Sequence, residues 1–242
     1  MNSTEKPFWD HLEELRDRIL RCLRVLVLTS GAGYVVRRPI LEFLKKPLLD
    51  ALPPDKQHLY FTGLFESFFN HLQVAILAGA FIGSPYFLWQ VWAFVGPGLR
   101  QNERRAVIPF VFFGTLFFFA GAAFAYWLVL PYGFKFFVEF GAPYDVPMIT
   151  VREYFSVLFR LLLLFGLSFE MPVILVLLAH LGLVGADALR GHRRNALIAI
   201  AVFSALFAPP DVASMLLMMA PLYAFYEIAI LAIAFIEKRD CA

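Results

Sequence analysis

Apolar runs separated by short charged or Pro/Gly-rich stretches recur along the chain and predict six membrane helices, at 19–36, 66–95, 106–130, 154–181, 196–208 and 212–236. A helix needs about 20 apolar residues to cross a hydrocarbon core of about 30 Å. The stretch 196–208 falls short of that, and Pro209-Pro210-Asp211 then forces a turn. The last two helices therefore read as a short hairpin that stops before the outer surface, in thinned bilayer or shielded by neighbours. Ahead of the first span, Phe8, Leu12, Leu15 and Ile19 share one helical face, with Glu13, Glu14, Arg16, Asp17 and Arg18 on the others. That pattern predicts a helix along the membrane surface that then enters it. Arg37, Arg38 and Pro39 end the first span, and the amphipathic stretch Pro39 to Leu52 predicts a short helix on the outer leaflet. Pro131 is expected to close the third span.

Composition settles the class. The chain has 242 residues, 60% hydrophobic and 17% charged, whereas soluble domains are about 45–50% apolar. This is an all-α, polytopic membrane protein with one domain over residues 1–242. With the N-terminus inside, thirteen of the 21 Lys and Arg fall on the inner side and eight on the outer side. Six spans with both termini cytoplasmic fit that bias best. The polar N-terminus, with Glu5 and Asp10, lacks the apolar core of a cleaved signal peptide, so the first span reads as the insertion signal. Cys22 and Cys241 both fall on the cytoplasmic side, where no disulfide is expected.

The chemistry gathers at the inner turn between the second and third spans. Gly96, Pro97 and Gly98 break one helix, and Asn102 with Glu103 can start the next. Arg100, Arg104 and Arg105 suit a positive-inside turn; Glu103 is not required by that rule and reads either as a cap or as a ligand. Glu14 reads either as the i,i+4 ion-pair partner of Arg18 or as a ligand group. Two carboxylates at one depth could hold two guanidinium groups by forked, charge-assisted hydrogen bonds. Glu170 lies near mid-bilayer, where a charge costs about 2.5–3.5 kcal/mol and must be protonated, paired or hydrated. It reads as a hydrogen-bonded helix contact, a polar path lining or a partner's docking point, and Pro172 can kink its helix. Gln90 reads chiefly as interhelical glue, and Asp211 as a cap for the last helix. The five histidines show no ligand spacing, and no nucleotide loop or hydrolase motif is present. No enzyme activity, cofactor, metal or nucleic-acid partner is expected.

Taken in order, His11-Leu12-Glu13-Glu14-Leu15-Arg16, Lys46-Pro47-Leu48, Gln90-Val91-Trp92-Ala93-Phe94 through Glu103-Arg104-Arg105, Ser168-Phe169-Glu170-Met171-Pro172-Val173 and Ala208-Pro209-Pro210-Asp211 make the chain resemble the TatC family, the receptor subunits of the twin-arginine protein translocase. The resemblance covers nearly the whole chain. It implies six helices in a concave, cupped bundle with a short final hairpin. It implies a cytoplasmic site for the Arg-Arg motif in the signal peptides of folded precursor proteins, with Glu14 and Glu103 as the carboxylates. Leu12, Arg16, Phe94, Arg104 and Arg105 belong to the two segments that form this recognition surface. It further implies that Glu170, with Gln90 and Pro172 as the other intramembrane positions, faces a membrane cavity, and that Pro47 and Asp211 sit in the outer loops. TatB and TatA single-span subunits and other TatC copies are the implied partners in the cytoplasmic (inner) membrane, with export powered by the proton-motive force. Two other readings rest on the residues alone: a proton-coupled solute transporter using Glu170, and a membrane scaffold without a ligand site.

Overall fold

The computed structural model describes residues 8–52, 58–95, 107–141, 148–207 and 212–240. Ten α-helices and one π-helical turn account for most of them: α1 (Phe8–Val35), α2 (Arg37–Leu49), α3 (Glu66–Val95), α4 (Val107–Phe124), the π-turn Ala125–Val129, α5 (Leu130–Gly141), α6 (Val151–Ser168), α7 (Met171–His180), α8 (Ala186–Gly191), α9 (Arg193–Phe207) and α10 (Val212–Asp240). Four helical stretches are long and apolar enough to cross a membrane: Glu66–Phe94, Ile108–Phe140, Val151–His180 and Met215–Lys238. A fifth arises if the bent pair Asp10–Val35 and Arg37–Leu49, at 83° to each other, is one span. The expected fifth span, 196–208, corresponds to α9, whose 15 residues reach only about 22 Å at ~1.5 Å each. Its partner α10 runs 29 residues, past the expected end at Ile236 and through Pro221.

The described residues fall into two compact units. In the first, which holds α1 and nearly all of α3, these helices run antiparallel in close contact. The Thr29 hydroxyl donates to the Gly79 carbonyl at 2.9 Å as well as to the Val25 carbonyl of its own helix. A methyl group on Gly79 would stand 2.6 Å from the Ser30 backbone nitrogen, and one on Gly33 would stand 2.8 Å from the Ala75 carbonyl oxygen. Small residues let the backbones approach, which is how helices associate where lipid supplies no hydrophobic drive. The expected surface segment is continuous with the first span: α1 is unbroken from Phe8 to Val35.

The second unit holds α2 from Glu42 onward, the π-turn and α5 to α10. Within it α10 packs against α7, α8 and α9. Arg193 on α9 pairs with Glu227 on α10 at 2.7 Å, and the Tyr226 hydroxyl donates to the Leu189 carbonyl of α8. The segments ahead of α3 and α6 are tied by a backbone bridge, Tyr60 to Thr150, and by Glu66. The Glu66 carboxylate accepts from the backbone N–H groups of Thr62 (2.8 Å), Gly63 (3.1 Å) and Arg152 (2.7 Å).

Two expectations are corrected. Pro131 does not close the third span; helix continues to Gly141. The π-turn just before it, in which the Leu130 N–H reaches back to the Ala125 carbonyl, widens the helix where the proline ring would meet the Trp127 carbonyl. The fourth span ends at the expected place: Gly182, at φ +71°, closes α7, with the Leu183 N–H bonded to the Leu178 carbonyl, and the short helix α8 follows. The fourth span starts at Val151, before the expected Tyr154, because Thr150 accepts from the Glu153 N–H and so caps α6.

Gly79→Ala is expected to destabilise the purified protein by about 1–3 kcal/mol, because Ser30 backbone cannot yield. Gly133→Ala, with nothing within 4 Å, is the control and should not. Equal melting midpoints for the two variants in detergent would contradict the close crossing of α1 and α3.

Candidate functional site

The site is built from the N-terminal end of α1 and the C-terminal end of α3. Glu14 stands one helical turn before Arg18, and the Arg18 guanidinium donates to Glu14 Oε1 from Nη2 at 2.6 Å and from Nε at 3.3 Å. The same guanidinium donates to the Gln90 side-chain oxygen at 3.1 Å and to the Ala93 carbonyl at 2.9 Å. Ala93 lies in the last turn of α3, where carbonyls have no helical N–H to accept from, so a cation there is favoured. Arg18 thus spends its planar fork on three acceptors, two of them on another helix. Its side chain is 17% exposed and that of Glu14 22%. Both are shielded enough that the link is more than a solvated surface pair. His11 completes the cluster: its ring stacks on Phe94 at 4.4 Å, and Nδ1 lies 3.9 Å from Glu14 Oε2. Below it, Trp92 stacks on Phe110 at 5.1 Å.

The arrangement holds one carboxylate at a fixed place at the end of α3, beside an aromatic ring. Leu12 and Arg16 are exposed on α1 and take no part in this network. Glu103, Arg104 and Arg105 lie outside the described residues, as do Gly96 to Arg100, Asn102 and Asp211. What is described is that α3 ends at Val95 and α4 begins at Val107, so the segment that carries Glu103 continues from the helix end to which Arg18 is bonded. Gln90, expected as interhelical glue, is that: it is 7% exposed and accepts from Arg18 across the α1–α3 contact. The i+4 spacing revealed the Glu14–Arg18 pair; the Gln90 and Ala93 ends of the network carry no sequence signal.

Glu170 belongs to the second unit. It sits at the turn that separates α6 from α7, with Pro172 in the first turn of α7. The expected kink is a local turn within the continuous stretch Val151–His180: the Glu170 N–H bonds to the Leu167 carbonyl, and α7 begins with the Ile174 N–H bonded to the Glu170 carbonyl. The side chain is 5% exposed, and Oε1 has no hydrogen-bond partner among the described residues. Pro47 lies inside α2. Among the described residues no group of three or more His, Cys, Asp or Glu side chains could hold a metal ion.

The family TatC, Sec-independent protein translocase protein, matches residues 10–221. The chain belongs to the TatC family. A TatC protein of Desulforapulum autotrophicum is 37% identical over 237 residues, covering 98% of this chain and 87% of that one. One of Campylobacter jejuni is 39% identical over 224 residues, covering 92% and 91%. The crystal structure of a twin-arginine translocase receptor, TatC, in DDM superposes with a TM-score of 0.80 at 32% identity, covering 92% of this chain and 99% of that one. The chain is therefore a component of the Sec-independent, twin-arginine protein translocase. It is a membrane transport protein and not an enzyme.

A TatC-family protein that carried an ionised Glu170 for stability would lose it on neutralisation. The unpartnered Oε1 argues the reverse, because an ionised carboxylate in hydrocarbon is costly. Glu170→Gln is expected to leave the melting midpoint unchanged or raised; a drop of several degrees would contradict a carboxyl that adds no stability in its ionised form.

Proposed function

We propose that this chain is the signal-peptide receptor of its translocase, with Glu14 and Glu103 each taking one arginine of the twin-arginine motif at the cytoplasmic face. The observation that carries the reading is the Arg18 link. It fixes the Glu14 carboxylate against the end of α3, and residues 96–106, with Glu103, leave from that end. A carboxylate suits a guanidinium because the planar fork can bond both of its oxygens, which a lysine ammonium cannot do. Leu12, Arg16, Phe94, Arg104 and Arg105 would frame the site. Phe94, with His11 stacked on it, offers an apolar wall beside the carboxylate.

The passenger is a folded precursor, and export needs TatB- and TatA-type single-span partners, other copies of this chain and the proton-motive force. The protein sits in the cytoplasmic membrane with both termini inside. Glu170, buried at a turn in the fourth span, serves the intramembrane part of that cycle with Gln90 and Pro172. Pro47 and Asp211 serve the outer loops.

The test reverses each charge and measures photocross-linking of a twin-arginine signal peptide. Glu14→Lys and Glu103→Lys are each expected to reduce cross-linking at least ten-fold, a loss of ~1.4 kcal/mol or more. Undiminished cross-linking in both variants would refute the assignment.

A further inference from the structure

Pro47 creates a specific problem within the second unit. A helical residue normally donates its N–H to the carbonyl four residues back; proline has none, and its ring pushes that carbonyl outward. In α2 the carbonyl so released is that of Phe43. Shielded from water, a carbonyl so released costs free energy unless another donor answers it.

The Tyr126 hydroxyl donates to this carbonyl at 2.5 Å, and its ring stacks on the Phe43 ring at 4.4 Å. Tyr126 is the second residue of the π-turn, 7% exposed, while its neighbour Trp127 is 68% exposed. One carbonyl along, the Tyr154 hydroxyl of α6 donates to Leu44, and the Leu48 N–H interacts with that same hydroxyl. Tyr154 is 2% exposed. Two phenols from two different spans thus meet the backbone of α2 at the two successive carbonyls beside its proline.

We propose that Tyr126 is a positioning residue for α2 in the translocase: its hydroxyl replaces the helix hydrogen bond that Pro47 removes, and Tyr154 holds the next carbonyl. Ala125, Tyr126, Val129 and Leu130 share one helical face and are all buried, which turns the Tyr126 phenol inward. The function of Tyr126 is tied to the presence of Pro47, and this is what separates it from ordinary packing. With Ala at position 47 the helix regains its own N–H donor, and the phenol becomes redundant.

The experiment compares Tyr126→Phe in two backgrounds, natural and Pro47→Ala, using the full chain in nanodiscs. Hydrogen exchange of the α2 amides is the readout, with α10 amides as the internal reference. In the natural background Tyr126→Phe is expected to speed α2 exchange about ten-fold, as for loss of a bond to a buried carbonyl, and to slow export of a twin-arginine precursor. In the Pro47→Ala background the same change is expected to alter α2 exchange less than about two-fold. An equal effect in both backgrounds, or none in the natural one, overturns the proposal. Should Pro47→Ala fail to insert, Tyr126→Phe against Tyr126→Leu decides. The phenol hydroxyl predicts that both speed α2 exchange about equally, whereas mere packing predicts that only Leu does. Export in these variants is read relative to Glu14→Lys, so that a failure of the receptor reading does not count against the joint.

Discussion

Backbone N–H and C=O groups inside lipid must be answered from within the protein, and the prolines of this chain test that rule repeatedly. Four of them meet four different solutions. Pro85 in α3 frees the Phe81 carbonyl, and the neighbouring Ser84 hydroxyl donates to it at 2.8 Å. Pro47 in α2 frees Phe43, answered by Tyr126 from another helix. Pro131 follows a π-turn that makes room for its ring. Pro172 is accommodated by a local turn between α6 and α7, with Glu170 at the turn. The shape of each span follows from how its proline is resolved.

The same low dielectric governs the charges. Arg18 is tolerated near the membrane edge because its guanidinium finds a carboxylate, an amide oxygen and a terminal carbonyl at once. That one residue turns an intrahelical pair into a junction between the first two spans. Above it, Thr29, Gly33 and Gly79 bring the two backbones together. The proposed receptor function draws on this order of construction. The junction is a fixture of the fold, and the carboxylate it holds stands at the end of α3 from which residues 96–106 continue. Glu66 does comparable work elsewhere, where a single carboxylate collects the N–H groups of Thr62 and Gly63 and that of Arg152 in the first turn of α6.

Much of this is legible in the sequence, because lipid imposes a coarse and reliable grammar. The apolar runs locate the four long spans, the Arg37-Arg38-Pro39 string marks the bend between α1 and α2, and the 15-residue α9 shows its shortness in its count of apolar residues. Glu170 stands out by cost alone. Other features depend on partners distant in sequence. Pro131 looks like a terminator until the π-turn ahead of it is seen. Tyr126 and Tyr154 look like ordinary interface aromatics, although a proline inside the amphipathic α2 announces that some donor must come from elsewhere. The Thr150-Val151-Arg152-Glu153 capping box is local, and it would have moved the start of the fourth span from Tyr154 to Val151. Gln90 is readable as a polar bridge, but its partner Arg18, 72 positions away, is not.

The receptor claim reduces to a preference for guanidinium over ammonium, set by two carboxylates. Its most direct measurement is the affinity of the purified protein for a twin-arginine signal peptide and for the matched twin-lysine peptide, compared with the Glu14→Gln/Glu103→Gln double variant. The account predicts at least about ten-fold tighter binding of the arginine peptide, and loss of that preference in the double variant. Equal binding of the two peptides by the natural protein, or a preference that survives the double substitution, would contradict it.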